Sequence, residues 1–219
     1  MIVIGLTGGI ASGKSLVAQL LGQLGAVVLE ADRIGHEVLR DPSVRRALTA
    51  HWGREILDAE GEIQRSVLAE KVFAPPPAGP RALAFLERWT HPRIAARLRD
   101  RLETLARQGD VPVVVLEAAV LYKAGWDALC DILVFVDADS DLRAARVQTR
   151  GWSLEQLRAR EAAQPPLDWQ RARAQFVLDN SGTHAQLAAQ VLQLWHSLPL
   201  ASRSTNFPER PFTNGSDDP

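Results

Sequence analysis

The sequence predicts an α/β fold, a parallel five-stranded sheet covered by helices on both faces. Five short apolar runs, at 2–7, 26–29, 113–116, 131–136 and 176–178, read as buried strands, because they lack the polar alternation of a half-solvated sheet. Stretches of helical periodicity separate them, the order that gives parallel strands joined by crossovers. A glycine-rich turn joins the first strand to the first helix. At 219 residues and 46% hydrophobic composition, the chain suits one domain of ordinary size with an inserted part.

The elements follow in order. A helix starts at the glycine turn and stops near Gly22 or Gly25. The second strand ends at Glu30-Ala31-Asp32, where Asp32 is placed to cap a helix running to about Leu39. Asp41 caps the next helix, with Pro42 in its first turn, and Trp52-Gly53 ends it. Residues 58–61 read as a turn, 65–73 as a helix, and the proline-rich 74–80 as a loop. A helix over about 81–89 and a second opening at His91-Pro92 are expected to be separate. The second carries Ile94, Leu98, Leu102 and Leu105 on one stripe and ends at Gly109-Asp110. Ser140 reads as the cap of a helix bearing Arg143, Arg146 and Arg150. Ser153 with Gln156 forms a capping box for a charged helix to about 163. Gln164-Pro165-Pro166 breaks it, and another helix covers about 167–174. Asn180-Ser181-Gly182 then turns into a last helix with Leu187, Val191 and Leu194 inward. The predicted organisation is one domain, 1–198, with a core at 1–32 and 111–198. A helical lobe at about 33–110 would bind the substrate, a charged lid would cover about 150–173, and 199–219 would be a disordered tail.

A formal net charge of −1 argues against a broad nucleic-acid surface. No apolar run approaches 18 residues, so no membrane span is expected. Cys130, the only cysteine, excludes an intrachain disulfide and suits a reducing cytoplasm. Its place beside an apolar strand reads as a buried small hydrophobe rather than a nucleophile. The sequence carries no signal for oligomeric state.

The chemistry gathers at Gly8-Gly9-Ile10-Ala11-Ser12-Gly13-Lys14-Ser15, which matches G-x-x-x-x-G-K-[ST]. Its strand–turn–helix setting makes it a phosphate loop and the fold a three-layer P-loop NTPase fold. Backbone N–H groups of Gly8, Gly9, Ala11, Ser12 and Gly13, and of Lys14, Ser15 and Leu16 at the helix start, would cradle the phosphates of ATP. Lys14 would reach the β- and γ-phosphates, and the Ser15 hydroxyl would hold Mg²⁺. Only Lys14, Lys71 and Lys123 are lysines, so a lysine inside this loop is not compositional noise.

Three observations favour a kinase over a GTPase switch or a motor. No N-K-x-D guanine-reading motif occurs, the chain is small, and an acid stands at the tip of the second strand. Ligands of open parallel sheets bind at the carboxyl ends of strands, which aims Asp32 at the same crevice as the loop. Its carboxylate can take the proton of an attacking hydroxyl, or it can be a helix cap, or both. Glu117 and Asp137 also end strands, and either could orient Mg²⁺ waters. Arg146 and Arg150 sit four apart, on one helix face, where they would clamp ATP phosphates or form a solvated face. His91 fits a helix-start cap or a packing role. A small-molecule or nucleoside kinase and a non-catalytic nucleotide switch both remain open at this level.

Further residues narrow the reading. Leu6-Thr7-Gly8-Gly9-Ile10, the Leu24-Gly25 pair, Ala31-Asp32 and Trp52-Gly53 occur in order. So do Gly61 with Arg65 and Leu68, His91-Pro92 before Ile94, the Arg146 and Arg150 pair, Gln164, and Asp179-Asn180-Ser181-Gly182. Over about 1–195 the chain resembles the dephospho-coenzyme A kinases. That resemblance implies transfer of the ATP γ-phosphoryl group to the ribose 3′-hydroxyl of dephospho-CoA, the last step of coenzyme A synthesis. It implies Asp32 as the base, with Thr7, Arg65 and His91 on the acceptor side. Lys14 and Arg146 would act on the transferred group, Arg146 and Arg150 would serve the ATP phosphates, and Asn180 and Gly182 would lie beside the adenine. It departs from the family in places. Glu30-Ala31-Asp32 stands for Asp-Ala-Asp. Lys123 replaces an acid after the third strand, where the family's Asp-Ile-Pro-Leu-Leu-Phe-Glu reads Glu117-Ala118-Ala119-Val120-Leu121-Tyr122-Lys123. Ala174-Gln175 stands where Ala-Asp is expected.

Overall fold

In the computed structural model, which describes residues 1–200, five parallel strands form one sheet. They are β1 (Ile2–Thr7), β2 (Val27–Glu30), β3 (Val113–Glu117), β4 (Ile132–Asp137) and β5 (Phe176–Asp179). Their order is β2-β3-β1-β4-β5, so β1 lies at the centre. Its register sets Leu6 beside Glu117 of β3 and Thr7 beside Phe135 of β4. The loop that leaves β1 is therefore flanked by the carboxyl ends of both neighbours.

The helices are α1 (Lys14–Gln23), α2 (Ala31–Leu39), α3 (Pro42–Trp52), α4 (Arg65–Val72) and α5 (Ala78–Gln108). Then come α6 (Ser140–Thr149), α7 (Leu154–Glu161), α8 (Leu167–Arg173) and α9 (His184–Ser197). The chain divides into two compact units. One comprises Met1–Glu30 and the chain from Leu102 onward, the other Ala31–Arg101.

In the first unit, Ile4 and Leu6 of β1, Val113 and Val115 of β3, and Val134 and Val136 of β4 pack against Val17 and Leu21 of α1. Leu187, Val191 and Leu194 of α9 close the same cluster. On the other face of β1, a Cβ at Gly5 would meet Cys130 Sγ at 2.6 Å and Leu133 Cδ2 at 2.9 Å, so any larger residue would force these side chains to shift. Burial pushes the Cys130 thiol well above its ordinary value, which makes it an inert packing group. The second unit is helical. Ile34 and Val38 of α2, Val44 and Leu48 of α3, Leu68 of α4 and Leu98 of α5 are buried there.

Four local expectations are corrected. Asp32 does not cap α2; strand β2 runs straight into the helix at Ala31, which puts Asp32 inside the first turn. Ser140 is the first residue of α6, and Asp139 is its cap. The helix after the proline-rich stretch starts earlier than expected, at Ala78. It also runs through Pro92 without a break. Proline there forfeits one backbone hydrogen bond and crowds the preceding turn, at a cost of about 3 kcal/mol. Side-chain donors support the turns beside it, with Arg93 Nη1 on the Trp89 carbonyl at 2.9 Å and Thr90 Oγ1 on that of Leu86 at 2.9 Å. Buried Ile94, Ala95 and Leu98 hold the helix down just beyond it. A short 3-10 turn at Arg54–Ile56 and an antiparallel bridge between Leu57 and Ile63 were not expected. The tail expected at 199–219 falls, beyond residue 200, outside the described residues.

Candidate active site

Strand β1 delivers Thr7 to the start of the glycine loop, and α1 leaves it at Lys14. Gly13 caps α1 at φ 104°, with no side chain to offer the first-turn N–H groups. A Cβ on Gly13 would stand 2.0 Å from Asn180 Nδ2, so both backbone angle and space demand glycine. Ala11 is the only non-glycine residue at positive φ among the described residues, at 59°. This is local strain of the kind that concentrates where a ligand is gripped.

The carbonyls of the loop are pinned one after another. Lys14 Nζ donates to those of Gly8 and Gly9, each at 2.9 Å. Arg143 Nη1 reaches that of Ile10 at 3.4 Å, and Arg146 Nη1 those of Ala11 and Ser12 at 3.2 and 3.4 Å. Asn180 Nδ2 adds a second bond to the Ser12 carbonyl at 2.7 Å. A trans peptide points its N–H away from its C=O. Fixing these carbonyls therefore fixes the opposed N–H groups of Gly9, Ile10, Ala11 and Gly13. The Ser12 hydroxyl is buried with no hydrogen-bond partner among the described residues. An orphaned donor inside a ring of oriented N–H groups fits a bound phosphate.

Beside the loop, the Ser15 hydroxyl donates to Glu117 Oε1 at the end of β3. A proton committed to the carboxylate leaves the hydroxyl lone pairs for a cation, so the Ser15–Glu117 pair suits Mg²⁺. Asp137 at the end of β4 is instead ion-paired with Arg171. Among the described residues no group of three or more His, Cys, Asp and Glu side chains could hold a metal by itself.

Helices α6 to α8 fold onto the loop. Ile10 and Ala11 pack with Val147, Trp152 and Leu157, and the Arg160 guanidinium lies 4.1 Å from the Trp152 ring centroid. Arg143 ties α6 to α7 through Glu161 and donates to the Ala138 carbonyl at 3.3 Å. Gln164 Nε2 donates to the Ala119 carbonyl at 3.1 Å. Gln170, only 3% exposed, accepts from the Thr7 hydroxyl and from Gly8 N–H.

Most of the donor-side residues named from the sequence gather here, with three qualifications. The N–H groups of Gly8 and Ser12 are already donated, to Gln170 Oε1 at 3.3 Å and to the Gly9 carbonyl at 3.2 Å. Leu16 packs its side chain against the core, so only its backbone can serve a ligand. Arg150 is not brought to the loop; it is exposed at the end of α6, with no side-chain hydrogen bond or ion pair among the described residues. Arg146 is turned onto loop carbonyls and onto that of Asn180, at 2.9 Å. Gly182 lies in the turn before α9, against Gln186, which forms a capping box with Thr183.

In the second unit, Asp32 and His36 lie one turn apart on α2, and Arg65 Nη1 lies 3.0 and 2.7 Å from the two ring nitrogens of His36. Burial first, then the Arg65 charge, hold His36 below its ordinary value, against an opposing pull from Asp32. His91 sits in the middle of α5, one turn before Ala95 and two before Leu98 on the buried stripe, so it is not a helix-start cap.

Sequence reasoning missed Arg143, Glu161, His36 and Gln170. For His36 a signal existed, the four-residue spacing from Asp32. The Arg143–Glu161 and Gln170–Thr7 contacts span 18 and 163 residues of sequence, and no local pattern marks them.

Comparison with known proteins gives the family of the chain as a whole. The family model described as dephospho-CoA kinase matches residues 2–186. The dephospho-CoA kinase of Geobacter sulfurreducens is 41% identical over 197 residues, covering 89% of this chain and 98% of that protein. That of Corynebacterium diphtheriae is 38% identical over 198 residues, covering 89% and 96%. Among solved structures, TT1252 from Thermus thermophilus superposes with a TM-score of 0.74 at 33% identity, covering 89% of this chain and 96% of that one. The dephospho-CoA kinase from Campylobacter jejuni does so with 0.61 at 22%, covering 89% and 95%, a likeness of fold.

Proposed function

The chain belongs to the dephospho-CoA kinase family and is an ATP-using phosphotransferase of coenzyme A synthesis, and we propose how its own residues divide that reaction. The observation that carries the division is the pinned loop, in which every carbonyl from Gly8 to Ser12 is held by a side chain of the chain itself. Phosphoryl transfer needs little covalent help and much positioning and charge stabilisation, and a loop with its N–H dipoles already set supplies both.

On the donor side, Gly8 to Ser15 bind the ATP phosphates. Lys14 exchanges its bonds to the Gly8 and Gly9 carbonyls for phosphate oxygens. Arg146 works in two ways, holding the Ala11 and Ser12 carbonyls and lending its charge to the phosphates beside them. The turn at Asn180–Gly182 borders the adenine. Magnesium, when bound, supplies charge neutralisation on the phosphates. Ser15 is the side chain that would hold it, and Glu117 the carboxylate that keeps the Ser15 hydroxyl oriented.

On the acceptor side, Asp32 accepts the proton of the ribose 3′-hydroxyl of dephospho-CoA. Thr7, Arg65 and His91 border the acceptor, with Arg65 suited to its phosphates. The helical unit of Ala31–Arg101 carries the coenzyme-binding residues and α7 with α8 form the lid. A single thiol with no disulfide suits a reducing cytoplasm. ADP release coupled to a reporter, with dephospho-CoA set beside nucleosides and sugars, tests the assignment. Dephospho-CoA is expected to be the best acceptor. Equal or better turnover of a nucleoside would sink the substrate reading.

A further inference from the structure

Gln170 is a buried side chain whose orientation can be read without seeing a hydrogen. Its Nε2 donates to the Pro165 carbonyl at 2.7 Å, which fixes the amide. Its Oε1 therefore faces two donors, the Thr7 hydroxyl and Gly8 N–H, the second at 3.3 Å. Reversing the amide would set an NH₂ against both donors. A hydroxyl has one proton and two lone pairs. Thr7 has given its proton to Gln170, so toward a ligand it can only accept.

The same amide reaches the loop from α8, a helix otherwise joined to the sheet through strand β4. Thr7 is itself 3% exposed, so its hydroxyl has few other ways to be satisfied. The small recess bordered by Thr7, Gly8 and Gln170 is lined on its far side by Ala118–Lys123 and Gln164. Lys123 there is a donor, which leaves Thr7 among the acceptors of the recess.

We propose that Gln170 sets the polarity of Thr7 and is thereby a specificity-determining positioning residue. With its only proton committed, Thr7 selects phosphoryl acceptors that offer it an O–H or N–H, and disfavours those that offer only lone pairs. A polyol or amine-bearing acceptor meets this demand; one whose corresponding group is an ether or a carbonyl does not. The inference rests on the reading that the acceptor lies against Thr7.

A double-mutant cycle tests it, with KM for dephospho-CoA and KM for ATP measured separately. Thr7→Val and Gln170→Met are each expected to raise the acceptor KM by about three- to tenfold, the worth of one hydrogen bond, with ATP KM within about twofold of the parent. The double variant is expected to be no worse than Thr7→Val, because without the hydroxyl Gln170 has nothing to polarise. Gln170→Glu keeps an oxygen at the Thr7 proton but loses the donor to the Pro165 carbonyl, and is expected to recover part of the acceptor KM relative to Gln170→Met. Additive effects, an ATP KM that rises as much as the acceptor KM, or no rescue by glutamate would overturn the proposal and leave Gln170 as a lid tether. Should Gln170→Met fail to fold, Thr7→Val and Gln170→Glu still decide: an unchanged acceptor KM in Thr7→Val refutes it. If the parent shows no ADP release dependent on dephospho-CoA, the functional reading falls first and takes this inference with it. A failed cycle in an enzyme that turns over dephospho-CoA refutes this inference alone.

Discussion

Replacing Glu117 with glutamine separates the two acids that end strands beside the loop. In the parent, the Ser15 hydroxyl donates to Glu117 Oε1, while Asp137 is occupied by Arg171. Glutamine keeps an oxygen that can accept from Ser15 but removes the negative charge one hydroxyl away from a cation held at Ser15. Unit charges about 4 Å apart in a water-like dielectric interact by about 1 kcal/mol, and a divalent ion doubles this to about 2 kcal/mol. The pair is solvent-facing, so the water-like value is the relevant one. That energy corresponds to about thirtyfold in affinity, within the 10- to 100-fold typical of groups that orient a metal ligand. The assay is initial rate against free Mg²⁺ at saturating ATP. The midpoint is expected to move up by about thirtyfold in Glu117→Gln and by less than about threefold in Asp137→Asn, whose partner is a half-exposed surface arginine. A larger shift in Asp137→Asn than in Glu117→Gln would refute the reasoning and hand the role to the other acid.

Three further outcomes are expected. Asp32→Asn should keep ATP affinity and lose turnover by roughly 100-fold or more in the coupled assay; full rate would dismiss it as the base. Arg143→Ala removes donors from the Ile10 and Ala138 carbonyls and strands Glu161, so urea unfolding should show a loss of about 2 kcal/mol, with a raised ATP KM. A parent-like midpoint would mean the loop does not depend on it. His36 is held below its ordinary value of 6.5 in the folded chain, so the unfolded chain binds the extra proton and stability falls as pH drops through that value. His36→Gln should flatten the decline in unfolding midpoint between about pH 7 and pH 5; an unaltered slope would assign the decline to other groups.

The parts legible in the sequence are those where local chemistry and tertiary structure agree. The inner strands could be read because burial on both faces leaves unbroken apolar runs, the partly exposed edge strands β2 and β5 because they keep short apolar runs of their own, and Ser153 with Gln156 forms the capping box its spacing announces. The phosphate loop was legible because few residues can adopt its backbone, and Gly13 demonstrates why. Errors arose where a local rule met a stronger distant one. His91-Pro92 carries a helix-start signature, yet packing on either side holds one continuous helix. Asp32 looks like a cap only until β2 is seen to enter α2 without a loop. The strand order, and with it the meeting of Ser15 with Glu117, depends on register across the sheet, and periodicity does not encode register. The contacts of Gln170 and Arg143 lie further from sequence reasoning still, since an isolated glutamine or one arginine among many carries no mark of what it will touch.

The bonds to the loop carbonyls bear also on the heat and entropy of binding. A loop that must be ordered by its ligand pays on association, with a large favourable enthalpy offset by lost freedom. Here the ordering is done as the chain folds, by Arg143, Arg146 and Asn180, whose bonds to the loop carbonyls do not depend on Lys14. Nucleotide binding is then largely an exchange of partners on a surface already in shape. The calorimetric trace should carry a small entropic penalty, and variants that unpin a carbonyl should recover much of their lost affinity on cooling, as the restored order becomes cheaper.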